Sequence, residues 1–184
     1  MKNLKLFLVA SGALIMASCG NNKNAGQKAV VSSPPREEYV AHLKNLEGEM
    51  HKMTALNEAT ARLAIQAYSD YATFFPNDTL APACLFKAGE IATASKKYKT
   101  ALSFYQTITS KYPDFRHVKE SLYLQGFLLD NFLNDDAGAK IIYEQVIEKY
   151  PTTNYASDAK AAISNLGKTD EQLIQEFQKK NEKK

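Results

Sequence analysis

From residue 63 onward, apolar residues return every three or four positions. Leu85, Ala88 and Ala92 form one such series, and Ala101, Phe104, Tyr105 and Ile108 another. Further along come Leu122, Gly126 and Leu129, then Ala139, Ile142, Tyr143 and Val146. This is the period of amphipathic helices with one buried face, not of strands. Polar breaks separate the members of each pair: "SKK" in the first, "NDD" in the second. "NDD" offers an N-cap and a negative first turn to the helix after it. Each pair closes on an aromatic-Pro step, Tyr112-Pro113 and Tyr150-Pro151, and an earlier one stands at Phe75-Pro76. Proline disfavours helix at the residue before it and cannot continue the hydrogen-bond ladder. The spacing predicts helix pairs stopped at a fixed interval.

The interval is 37 residues from Pro76 to Pro113 and 38 from Pro113 to Pro151. Counted back from the closing prolines, residues 82–113 and 120–151 align as units of 32 residues. Ala101 and Ala139 share the twentieth place, Tyr105 and Tyr143 the twenty-fourth, and Ile108 and Val146 the twenty-seventh. Gly89 is eighth in its unit and Gly126 seventh. The small residues let the two helices of a pair approach closely, and the tyrosines are expected to fill the space between neighbouring units. A degenerate unit precedes: 63–76 reads as a second helix with Ala64, Tyr68, Tyr71 and Phe75 inward, and its first helix falls within 37–55. A closing helix is expected at 154–166, stopped by Gly167. Thr169 and Gln172 then make a capping-box pattern for a last helix whose Leu173, Ile174 and Phe177 would cover the final repeat.

This pattern resembles the tetratricopeptide repeat, a helix–turn–helix with a small eighth residue, an alanine at twenty, an aromatic at twenty-four and a proline at thirty-two. The resemblance implies an all-α, right-handed superhelix of stacked helix pairs with a C-terminal capping helix. It also implies a groove formed by the second, fifth, ninth, twelfth and thirteenth places of each unit. Here these are Ala83, Phe86, Glu90, Thr93 and Ala94, then Ser121, Leu124, Leu128, Asn131 and Phe132. Phe86, Glu90, Thr93, Ser121, Leu124, Leu128 and Asn131 are the candidate partner-binding residues, a mainly apolar face suited to a helix or extended peptide. The alternative is that Phe86, Leu124 and Leu128 are covered by the chain's own 37–55 or 170–181 helix.

The first 36 residues differ from the rest. "MKNLK" is a basic start, and "LFLVASGALIMA" is an apolar stretch too short to span a bilayer. "MASC" then places Cys19 after small residues and resembles the lipobox of bacterial lipoproteins, with Met16 where Leu is usual. That resemblance implies a signal peptide at 1–18 and a lipidated Cys19. Residues 19–36 are polar, with glycine, asparagine and a Pro-Pro pair, and read as a flexible tether to a repeat domain at 37–167. Residues 168–184 are the capping helix and a basic tail. The longer inter-unit segment, as in "AIQAYSDYATFFPNDTLAPACLFKAGE", is similar to two families of envelope proteins. One is the BamD-type lipoprotein of outer-membrane protein assembly, with five repeats. The other is the repeat domain of the Tol–Pal-associated YbgF/CpoB type, with about three. The resemblance implies an outer-membrane, periplasm-facing location, membrane contact through the lipid (palmitate among its acyl chains) and a protein partner in the cell envelope.

Charge and chemistry narrow this further. The formal net charge is +3; of 23 basic side chains, Lys2 and Lys5 leave with the signal, so 21 would face 20 acidic ones. Such a balance gives no reason to invoke nucleic acid. His42, His51 and His117 show no metal-ligand spacing, and no nucleophile elbow, P-loop or dinucleotide fingerprint occurs. With Cys19 lipidated, Cys84 has no disulfide partner. No cofactor, metal, small-molecule substrate or catalytic residue is expected, and the chain reads as a binding protein rather than an enzyme.

Overall fold

A computed structural model of the chain describes residues 35–53 and 57–181. Within them lie eight helices and no strand: α1 (Arg36–His51), α2 (Glu58–Phe74), α3 (Ala81–Ala94), α4 (Tyr98–Lys111), α5 (Val118–Phe132), α6 (Asp136–Lys149), α7 (Asn154–Asn165) and α8 (Asp170–Asn181). From α2 to α7, each helix packs on the next in chain order. This is an all-α, tetratricopeptide-like stack of helix pairs. The expected signal peptide, Cys19 and most of the expected tether lie outside the described residues. Arg36, read as the end of the tether, is instead the first residue of α1.

The aromatic-Pro steps act as the sequence implies. Phe75, Tyr112 and Tyr150 cap α2, α4 and α6 with nearly one backbone conformation: φ is −125°, −129° and −134°, and ψ is 57°, 61° and 50°. The proline that follows drives each of them out of the helical region. The same turn follows each time, with Asp78, Phe115 and Thr153 donating backbone N–H to the carbonyls of Phe75, Tyr112 and Tyr150. The Tyr112 hydroxyl donates to the Pro76 carbonyl at 2.9 Å, tying one stop to the previous one. Asn57, Asp135 and Thr153 cap α2, α6 and α7 by accepting from backbone N–H groups, each contributing about 1 kcal/mol. Gly167, at φ +71°, ends α7 in the left-handed conformation. The capping box of α8 forms in both directions: Thr169 N–H donates to Gln172 at 3.0 Å and Gln172 N–H to Thr169 at 3.4 Å. Ile174 on α8 is exposed, and the side chains of Leu173 and Phe177 lie outside those described.

Three apolar clusters run along the stack. The first joins Tyr39 and Leu43 of α1 to Ala64, Tyr68 and Tyr71 of α2 and Cys84 and Ala88 of α3. The second spans α2 to α5 through Ile65, Leu85, Phe86, Tyr105, Ile108 and Leu128. The third joins Leu122, Tyr143, Val146 and Ala159 across α5, α6 and α7. α1 is also fastened by ion pairs at both ends. Arg36 pairs with Asp78 in the α2–α3 turn, and Glu47 pairs with Lys87 of α3 while accepting from the Tyr68 hydroxyl at 2.8 Å.

Within each pair the tyrosine lies over the glycine of its own unit. A Cβ on Gly89 would stand 2.7 Å from a ring carbon of Tyr105, and one on Gly126 would stand 2.7 Å from the ring of Tyr143. The sequence reading placed these rings between neighbouring units; the contact within the unit is what requires the glycine.

Candidate functional site

The glycine–tyrosine contacts fix the true register of the units. Gly89 and Gly126 are equivalent, 37 residues apart, while Tyr105 and Tyr143 are 38 apart. The extra residue sits at the end of α5, where Leu133 N–H reaches five residues back to Leu128, whereas Ser95 reaches four back to Ile91. Counting back from the proline therefore misplaces α5 by one residue, a rotation of about 100°.

The consequence is a correction to the candidate groove. Ser121 and Leu128 are each 0% exposed and belong to the packing, in the places of Cys84 and Ile91. Leu124 packs partly against the second cluster. Phe86 on α3 is buried as well, edge-on to Tyr105 and stacked on His117 at 4.7 Å. Phe115 and His117, in the turn before α5, lie against its ring. Glu90, Thr93 and Asn131 do reach the surface. The α5 residues equivalent to Ala83, Phe86, Glu90 and Thr93 are Glu120, Tyr123, Phe127 and Asp130. The sequence reading missed these four; aligning on the two glycines instead of the prolines would have found them. An independent pair of contacts bears this register out. Thr93 lies beside the Tyr105 hydroxyl, and Asp130 accepts from the Tyr143 hydroxyl at 3.3 Å.

The resulting face on α3, α5 and α7 is aromatic and acidic. His117 Nδ1 stands 2.8 Å from a Glu120 carboxylate oxygen. The Tyr123 ring lies between those of Tyr143, at 5.7 Å, and Tyr155, at 5.6 Å. Partial desolvation raises the Glu90 carboxyl above the usual carboxylate range, and the like charge of Glu120 adds to it. Asp130 is raised by the same desolvation, partly offset by the hydrogen bond from Tyr143. Among the described residues, neither carboxylate forms an ion pair with a cationic side chain. Glu47 contrasts: burial pushes its carboxyl up, but hydrogen bonds from Lys87 and Tyr68 outweigh it and the net shift is downward.

Among the described residues no group of three or more His, Cys, Asp or Glu could hold a metal ion. The Cys84 thiol is buried, and that burial pushes it up to about 12, far from a reactive thiolate. Among the described residues no helix is long and apolar enough to cross a membrane.

A stack of helix pairs with proline stops, small residues at the close approach and an open helical face defines a repeat-type interaction scaffold. The tetratricopeptide repeat family model matches the chain twice, at residues 83–114 and 120–153. The matched segments start 37 residues apart, in the glycine register. Among curated proteins no match to the chain is found. Two stretches of the chain thus match the tetratricopeptide repeat, a helix-pair module that generally serves protein–protein interaction.

Proposed function

We propose that this protein is a lipid-anchored periplasmic scaffold that holds a partner protein of the cell envelope against its α3–α5–α7 face, in outer-membrane protein assembly. The observation that carries the binding surface is the pair of partly desolvated carboxylates, Glu90 and Asp130, which form no ion pair among the described residues, on a face that also carries Tyr123, Phe127 and Tyr155. A partner segment with basic and apolar side chains would relieve the first and cover the second. The envelope reading rests on the sequence: the apolar leader, the lipobox-like step to Cys19 and the polar tether. A second reading, an adaptor of the Tol–Pal-associated YbgF/CpoB type, is supported by the number of helix pairs. α1–α2, α3–α4 and α5–α6 make three complete pairs, closer to that domain than to a five-repeat one.

Site-specific photo-crosslinking in the native host, from positions 90 and 123, tests both. An adduct with a barrel-assembly component supports the first reading and one with a Tol, Pal or wall-synthesis protein the second. No adduct at either position removes the face. The anchor is tested separately: Cys19→Ser is expected to move the protein from the membrane fraction to the soluble one, and an unchanged distribution would refute lipidation.

A further inference from the structure

The α3–α4 turn carries a feature that the α3–α5–α7 face does not use. Lys96, Lys97, Tyr98, Lys99, Thr100 and Leu133 line an open cleft of about 480 Å³. Tyr98 stacks on Phe132 at 4.2 Å and 10°, so the turns of the two repeats are held side by side. Phe132 remains 39% exposed despite this stack. Lys97 lies 3.6 Å from Glu58. Lys96 and Lys99 are exposed and have no carboxylate partner among the described residues.

Lys96 is also held at φ +59°. The same turn in the next repeat puts Asn134 at φ +53°, a region that Asn adopts more readily than Lys. Lys96 ends α3 in the left-handed conformation, with Lys97 N–H closing back on the Ala92 carbonyl, and this turn sets its side chain beside two more lysines and an exposed ring.

We propose that this cleft docks an acidic segment of a partner protein, with its carboxylates at Lys96 and Lys99 and an apolar side chain against Tyr98 and Phe132. The exposed lysines supply positive charge and the exposed Phe132 ring an apolar contact, a combination that suits a protein segment carrying both carboxylates and an apolar side chain.

The test uses the full chain and a fluorescein-labelled Glu-rich peptide containing one phenylalanine, followed by fluorescence anisotropy. The variant K96E/K99E is compared with K140E/K149E, which makes the same charge change on α6. Binding that weakens about tenfold or more in K96E/K99E, is unchanged in K140E/K149E, and is lost with a Gln-for-Glu peptide is the expected result. Circular dichroism checks that both variants fold. Equal binding by K96E/K99E would overturn the proposal. So would no peptide binding together with a loss of anionic-vesicle binding in K96E/K99E, which would assign the lysines to a lipid surface. Failure here leaves the α3–α5–α7 face untouched, because positions 90 and 123 are read by a different experiment.

Discussion

Gly89→Ala tests whether the close approach of α3 and α4 sets the stability of the stack. In an exposed helix, alanine gains about 1 kcal/mol over glycine through reduced backbone entropy. At position 89 the new methyl would lie 2.7 Å and 2.8 Å from two ring carbons of Tyr105. That ring is 2% exposed and wedged against Phe86 at 5.8 Å, so it has no free direction in which to yield. Overpacking of this kind costs about 1–3 kcal/mol. The net expectation is a loss of about 1 kcal/mol, or a Tm lower by about 4 °C. Gly48→Ala is the internal control, because a Cβ there meets nothing within 4 Å and should stabilise α1 by about 1 kcal/mol. Thermal and urea unfolding of both variants decide the matter. In a Tyr105→Leu background the penalty at position 89 should disappear, since the opposing ring is gone. If Gly89→Ala stabilises the protein as much as Gly48→Ala, the glycine is not required by packing and the argument for register loses its footing.

Further expectations follow from the same contacts. Lys96→Gly removes a side chain from a left-handed position and should raise stability by about 1 kcal/mol, read as a higher Tm. Asp78 is held down at about 2, chiefly by its hydrogen bond to Arg36. A carboxyl lowered below its unfolded value gives stability above roughly pH 4 that is lost towards pH 2. Asp78→Asn should therefore flatten the acid limb of the stability curve between those values, and an unchanged limb would count against the latch. Glu90 has the opposite sign: its raised carboxyl costs stability when ionised, so Glu90→Gln should stabilise the free protein at pH 7, with the gain vanishing below about pH 4. Cys84, in a Cys19→Ser background, should resist thiol reagents until the α1–α2–α3 cluster opens, so fast labelling of the native protein would contradict its burial.

The sequence by itself determined the helices, their stops and their pairing. Proline at 76, 113 and 151 acts on the residue before it, Asn57, Asp135 and Thr153 act within one turn, and Gly167 acts at its own φ. These are short-range effects, so a chain read locally reveals them. The glycines and tyrosines were also visible as periodic residues, but which of them touch was not. The exposed face of α5 was ambiguous in sequence, because the prolines and the glycines give registers one residue apart, and the tertiary contact chose between them. One extra residue near Phe132 turns that helix by about 100° relative to a count from Pro151. Ser121 and Leu128 pass into the core, and Glu120, Tyr123, Phe127 and Asp130 take the places of Ala83, Phe86, Glu90 and Thr93. Helical periodicity says that one face is buried; only the fit of Gly126 against Tyr143 says which. The same holds for the lysine cleft. Three lysines in a turn are unremarkable in sequence, and they become a surface only when Tyr98 meets Phe132 across two repeats.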